Sequence, residues 1–182
     1  MTEKRTVRFD MYEMQYKGGL LNSDLSVITF EQKYYEKYKE LINSCFYQMR
    51  KELNIQPYGQ FCASLEELME MKENIFLLMD DDEMICTVTC SKNEIGMVAV
   101  NLKYQHQGYG RKIMEFAISY VQKQGNYPIK LTVTKWNKNA INLYKSLGFE
   151  IIKETTVEGV STKDVNGKWT FEFISTGGLS VR

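Results

Sequence analysis

A short apolar run, Val98, Ala99 and Val100, leads through a polar link into Gln105, His106, Gln107, Gly108, Tyr109, Gly110 and Arg111. Ile113, Met114, Ala117, Ile118 and Val121 follow at helical spacing. A strand that passes through a glycine turn into a helix makes an anion site, because the first NH groups of the helix have no acceptor behind them and converge where the helix dipole is positive. Phosphate oxygens suit that place. Gly108 and Gly110 let the backbone turn and approach such oxygens without a Cβ between them. Arg111 and Lys112 either add positive charge there or are ordinary solvated helix residues. Two other phosphate motifs fit poorly. No Gly-Lys-Ser/Thr ending is present, and a dinucleotide fingerprint needs Gly or Ala where Ile113 stands and an acidic residue where Lys130 and Thr132 stand.

A second group of residues lies downstream. Leu131, Thr132 and Val133 read as a strand, and Asn137, Ala140, Leu143, Tyr144 and Leu147 as a helix that Gly148 ends before Phe149. Together with Gln105, Gly108 and Gly110, in order and spacing, these residues closely resemble the GNAT superfamily of N-acetyltransferases. The motifs span residues 94–149, and the order of elements over 25–175 is also similar to that fold. The resemblance implies an α/β (α+β) architecture: a mixed, mostly antiparallel central sheet of six to seven strands with about four helices and a splayed central parallel pair. It implies acetyl-CoA as co-substrate. The backbone of Val98, Ala99 and Val100 would then run along the pantetheine arm, and Gln105, His106, Gln107, Gly108, Tyr109, Gly110 and Arg111 would surround the pyrophosphate. Asn137 would touch the cofactor, and Tyr144 would lie near the CoA sulfur. Leu102 departs from the family, which often has proline there, and should alter the loop entry only slightly. The acceptor site would be built by residues 47–64 and 156–168, with Tyr47, Tyr58 and Phe61 as candidate wall residues. The resemblance also admits a homodimer.

Two residues carry the chemistry so implied. Acyl transfer to an amine expels a thiolate, and a hydroxyl beside that sulfur can stabilise or protonate it. Tyr144 is the candidate, although its spacing fits equally the apolar stripe of Ala140 and Leu147. A tyrosine ionises near pH ~10 and a thiol near ~8.5, so complete proton transfer is uphill unless the site shifts them, and hydrogen bonding is the minimum role. The acceptor poses the opposite problem, since a lysine-like amine with a pKa of about 10.4 is protonated at neutral pH and only its neutral form attacks. Glu94 resembles in position the glutamate that some family members use as general base, often through water; its alternative is an exposed strand-end carboxylate. Holding amine and thioester together lowers the barrier further. Two other readings use the same residues: a CoA-binding module without catalysis, and an acyltransferase preferring a longer chain or a different nucleophile. The presence of both Tyr144 and Glu94 favours the amine acetyltransferase.

The elements that must position these residues can be read from the pattern. A strand is expected over 25–30, then an amphipathic helix carrying Tyr38, Leu41, Ile42, Cys45, Phe46 and Met49 that ends before Pro57. Ser64 and Glu67 form a capping box for a second helix to about residue 72. Strands over 75–79 and 84–90 flank four acidic residues, 80–83, which read as a solvated turn rather than a metal site. Further strands are expected over 95–100, 129–134, 149–157 and 168–175, and helices over 110–124 and 138–147. Residues 1–24 form a poorly specified extension in which Val7, Phe9 and Met11 alternate, as in an added edge strand or a loose arm.

Bulk composition sets the outer limits. A chain of 182 residues, 43% hydrophobic, supplies one core, so a single domain over 1–182 is expected. Lys plus Arg and Asp plus Glu both total 23, so no long-range field draws the protein to nucleic acid or an anionic membrane. The first 17 residues interleave charges with apolar residues and lack the run of a secretory signal or a membrane span, which reads as cytoplasmic. Cys45, Cys62, Cys86 and Cys90 show no CxxC spacing and are expected as reduced thiols. His106 is the sole histidine, which excludes multi-histidine metal sites, and no metal is expected.

Overall fold

The computed structural model describes residues 3–60 and 62–176. Phe61, one of the candidate acceptor-wall residues, lies outside them. The chain forms strands β1 (Glu3–Tyr16), β2 (Ile28–Thr29), β3 (Ile75–Asp80), β4 (Glu83–Ser91), β5 (Glu94–Val100), β6 (Lys130–Thr134), β7 (Phe149–Lys163) and β8 (Trp169–Ser175). The helices are α1 (Tyr35–Glu52), α2 (Leu65–Glu70), α3 (Tyr109–Lys123) and α4 (Lys138–Ser146). All eight strands join one sheet in the order β2-β3-β4-β5-β6-β1-β7-β8. Every neighbouring pair is antiparallel except β5 and β6, which are parallel. This is the mixed, mostly antiparallel α/β architecture with a central parallel pair that the sequence implies.

The eighth strand is β1, and its place differs from expectation. It is neither an edge strand nor a loose arm but an interior strand, hydrogen-bonded to β6 on one side and along its whole length to β7 on the other. The reason lies in its two interleaved apolar sets. Val7, Phe9 and Met11 bury on one face with Ile55 and Val157. Tyr12, Met14 and Tyr16 pack on the other face, against the main core. A strand with apolar residues on both faces belongs inside a sheet, where both faces are covered. Only the first set alternates in an obvious way, so the second goes unread in the sequence.

Other departures are smaller. The strand expected over 25–30 shrinks to Ile28–Thr29 because Leu25 and Val27 pack on the core without joining the ladder. Strand β7 runs on to Lys163 because β1 gives it a second partner as far as Glu3.

The helices cover the two faces of the sheet. Helix α3 buries Ile113, Met114, Ala117, Ile118 and Val121, the stripe read from the sequence, against Cys86, Val88 and Cys90 of β4 and Leu131 and Val133 of β6. Tyr144 and Leu147 join the same cluster at the other end of the chain. Helix α1 covers the opposite face, where Tyr38, Leu41 and Ile42 meet Ile75, Leu77, Met84 and Ala99. Helix α2 starts with the expected capping box: the Ser64 hydroxyl accepts from the Glu67 NH, and the Glu67 carboxylate accepts from the Ser64 NH at 2.7 Å.

Candidate active site

The parallel pair is bonded only at its start, with Glu94 level with Lys130 and Ile95 level with Leu131. Beyond those residues β5 and β6 part, and a gap opens between them. Which backbone groups face it follows from strand alternation. The NH of Asn101 donates to Ile85 of β4, so Asn101 and Ala99 turn toward β4, while Val98 and Val100 turn toward the gap. On the other lip, the NH of Lys135 donates to Asp10 of β1, which leaves Thr132 and Thr134 facing the gap. A bulge in β5 sharpens this arrangement. Thr87 pairs with Ala99 and Thr89 with Gly96, and Met97 takes a φ of 43°, a conformation that strains a side chain with a Cβ. Nothing in the sequence singles out Met97 for this role.

At the open end the chain enters the glycine turn. Gly108 has a φ of 87° and precedes α3, with nothing within 4 Å of where a Cβ would project. His106 is also left-handed, with a φ of 61°. The two glycines do different work. A Cβ on Gly110 would point not outward but into the protein, 3.3 Å from Leu143 and 3.8 Å from Val100, so its smallness lets α3 approach α4 and the end of β5. The polar side chains of the loop are largely engaged within the protein. Gln105 donates to the Val100 carbonyl at 3.1 Å, Gln107 to the Lys103 carbonyl at 2.9 Å, and Arg111 to the Ser146 hydroxyl at 2.7 Å, with Glu115 nearby. Tyr109 packs edge-on against Tyr104, with the Lys112 ammonium over its ring. Gly108 thus leaves an open, backbone-lined cradle at a helix start, which fits a diphosphate. Among the described residues no cluster of metal-ligating side chains occurs.

Tyr144 and Asn137 reach this region through α4. Asn137 caps the helix: its side chain accepts from the Ala140 NH at 3.2 Å, and its own NH donates to the Thr134 carbonyl at the end of β6. Two turns on, Tyr144 is buried against Phe149, next to the Leu143 that meets Gly110. Burial pushes the Tyr144 phenol up to about 12, so it remains a neutral donor across the physiological range.

Glu94 stands at the closed end of the gap. Its neighbour Ile95 buries among the α3-side residues, so Glu94 faces the α1 side, half-buried. Its cross-strand neighbour Lys130 pairs with Glu13 of β1 at 2.7 Å. The segments expected to hold the acceptor do meet on this face. The Gln56 NH donates to the Ser161 hydroxyl at 3.0 Å, and that hydroxyl donates back to the Gln56 carbonyl at 3.2 Å. Tyr47 and Tyr58 stand edge-to-face at 6.4 Å, with Tyr47 43% exposed. Nearby Arg50 is largely buried, donates to the Pro57 carbonyl at 2.6 Å and lies over the Phe171 ring. Desolvation lowers its guanidinium to about 10.

Comparison with known proteins identifies the family. The model of the Acetyltransferase (GNAT) family matches residues 35–149, more than half of the chain, and the chain belongs to that family. Over 52 residues, 29% of the chain, it is 44% identical to the ribosomal protein bS18-alanine N-acetyltransferase of Escherichia coli (strain K12). It is 31% identical over 77 residues, 39% of the chain, to the thialysine N-epsilon-acetyltransferase of Bos taurus. The matches span 35% and 45% of those relatives' own lengths. In fold it is similar to an acetyltransferase from the GNAT family of Colwellia psychrerythraea, with a TM-score of 0.63 at 12% identity, covering 87% of this chain and 56% of that one. Strands β1, β2 and β8 and nearly all of β7 lie outside the family match.

Proposed function

We propose that this protein transfers the acetyl group of acetyl-CoA to a primary amine, on a small molecule or a peptide, by direct attack within a ternary complex. The observation that carries the reading is the parted pair β5 and β6, opening beside the left-handed Gly108 turn at the start of α3. The turn suits the diphosphate, and the gap-facing groups of Val98 with the NH of Val100, whose carbonyl is taken by Gln105 and Cys45, suit an amide-bearing arm laid along β5. The relatives' names, which specify an alanine and a thialysine, support an amine acceptor.

The chemistry then divides between the two faces of the sheet. The amine comes from the α1 side, where Glu94 takes its proton directly or through water. The nitrogen attacks the thioester carbon, the tetrahedral adduct collapses, and the thiolate departs on the α4 side beside Tyr144. A phenol whose ionisation burial raises to about 12 does not hand its proton at equilibrium to the thiolate of a thiol of about 8.5; that transfer is uphill. Tyr144 therefore acts as a hydrogen-bond donor to the developing thiolate.

The test is a panel of amines, from polyamines to peptides, offered with acetyl-CoA, with thiol release and product mass both followed. Acetylated product from at least one amine class is expected. Tight CoA binding with no thiol release across the panel would leave a cofactor-binding module in place of an enzyme.

A further inference from the structure

We infer that Glu13 of β1 is a positioning residue for Glu94: its carboxylate draws the Lys130 ammonium toward β1 and so withholds from Glu94 the cation that would otherwise pair with it. The inference rests on the acyl-transfer reading above, with Glu94 taking the amine proton. It adds a residue outside 35–149, the part of the chain that the family model matches.

The placement follows from strand pairing. Glu94 and Lys130 are level in β5 and β6, at the end where the two strands are still bonded, and the Lys130 NH donates to the Asn93 carbonyl at 2.8 Å. Their neighbours Ile95 and Leu131 both bury in the α3-side core, so the side chains of Glu94 and Lys130 share the α1 face. Bonded strands are about 4.8 Å apart, a span that a lysine and a glutamate lying side by side can close. Yet Lys130 leans the other way. Its ammonium is 2.7 Å from the carboxylate of Glu13, which is level with Thr132, two residues further along β6. Glu13 lies on the α1 face because Tyr12 and Met14, on either side of it, pack in the α3-side core. Its side chain is 15% exposed against 34% for Lys130, and a carboxylate so enclosed needs a cation to offset its lost hydration.

The other groups around Glu94 leave Lys130 as the cation that decides its state. Strand β4 sets Ser91 opposite Glu94, and α1 packs on this face through Tyr38, Leu41, Ile42 and Cys45, all uncharged. Helix α3 lies on the other face. Lys92, in the turn before β5, is exposed. Lys153 of β7 is level with Glu13 and also exposed, two strands farther from Glu94 than Lys130. An ammonium seated on Glu94 would do harm in two ways. It would favour the ionised carboxylate and so weaken it as a proton acceptor, and it would put a like charge where the protonated amine must arrive. The pull of Glu13 prevents both.

The experiment measures kcat/KM with acetyl-CoA and one accepted amine at neutral pH in wild type, Glu13→Gln, Lys130→Met, the double variant carrying both, and Glu13→Gln on a Glu94→Gln background. Glu13→Gln should lower kcat/KM by about tenfold or more, a part of what a general base supplies. Lys130→Met should stay within about threefold of wild type, and the double variant should return to that range, because the cation set loose by the first change is gone. With Glu94 replaced, Glu13→Gln should cost less than about twofold. Calorimetric CoA binding should be the same in all. A pair that merely ties β6 to β1 would give similar losses in both single variants, no recovery in the double variant and the same loss on the Glu94→Gln background. That pattern, or an unchanged kcat/KM in Glu13→Gln, overturns the inference and leaves acetyl transfer standing. Wild-type kcat/KM in Glu94→Gln removes the base and the positioning role together, and no product from any amine removes the acyl-transfer reading as well. Should Glu13→Gln not fold, Glu13→Asp, whose carboxylate falls one methylene short of the ammonium, carries the same comparison.

Discussion

Tyr144 and Glu94 are the residues on which turnover should depend, and they should fail differently. Tyr144→Phe removes a donor that matters only as negative charge grows on sulfur. We expect kcat to fall by about tenfold or more in steady-state assays while the acetyl-CoA dissociation constant hardly changes. The same substitution has a signature in stability. Folded Tyr144 holds its proton to about 12, whereas an unfolded tyrosine loses it near ~10. Stability attached to the raised value is complete below pH ~10 and is lost as the pH rises toward 12, because the unfolded chain releases the proton first. Tyr144→Phe should therefore lose stability less steeply than wild type over that window in alkaline denaturation. Glu94→Gln should lower kcat/KM most at neutral pH and recover toward wild type as the medium deprotonates the amine. A constant deficit across the pH profile would remove the base role.

At the scale of elements, the turn into α3 and the strand β1 each make a quantitative demand. Gly108→Ala places a Cβ in a left-handed conformation, at a strain of roughly 1–2 kcal/mol, and should weaken CoA binding by disturbing the cradle. Gly110→Ala keeps an ordinary helical backbone but presses on Leu143 at 3.3 Å, so it should show mainly in stability. Calorimetric binding beside thermal unfolding separates the two, and equal loss of affinity in both would contradict the distinct roles. Met14 of β1 is fully buried in the main core. Met14→Ala should cost about 2–5 kcal/mol in denaturant unfolding, a penalty no loose arm would show. Much of this level could be read from residue types. The strand, turn and helix around Gly108 follow from apolar spacing and two glycines, and the boundaries of α3 and α4 fall within a residue or two of expectation. The position of β1 was not legible in that way, because its outcome depends on which strands offer free edges, and Lys130–Thr134 and Phe149–Lys163 are far along the chain.

Over the whole molecule, charge is balanced and dispersed. Most ion pairs join exposed side chains, such as Arg8 with Glu158 and Lys33 with Glu31, and pairs of that kind contribute roughly 0–1 kcal/mol each. Raising the ionic strength to about 1 M should accordingly change unfolding free energy little. The more enclosed pair, Lys130 with Glu13, ties β6 to β1, and Glu13→Gln should be the charge substitution that stability registers most. None of the helices among the described residues is long and apolar enough to cross a membrane.

The amino-acid sequence alone pointed to the family and nominated the proposed phosphate turn and the two candidate catalytic residues, because those depend on local order: a strand, glycines at set spacing, a helix, and a tyrosine two turns into the next helix. Only the tertiary structure decided what surrounds them. Cys45 and Met49 carry no signal in a pattern they share with ordinary core residues, and only the packing of α1 brings them to the Val100 carbonyl and the Thr134 hydroxyl. Likewise Gly110 and Gly108 look alike in sequence, and only the packing of α4 against α3 separates a contact glycine from a cradle glycine. Contacts between distant segments depend on how sheet edges pair and faces are covered, and residue spacing along the chain does not encode that choice.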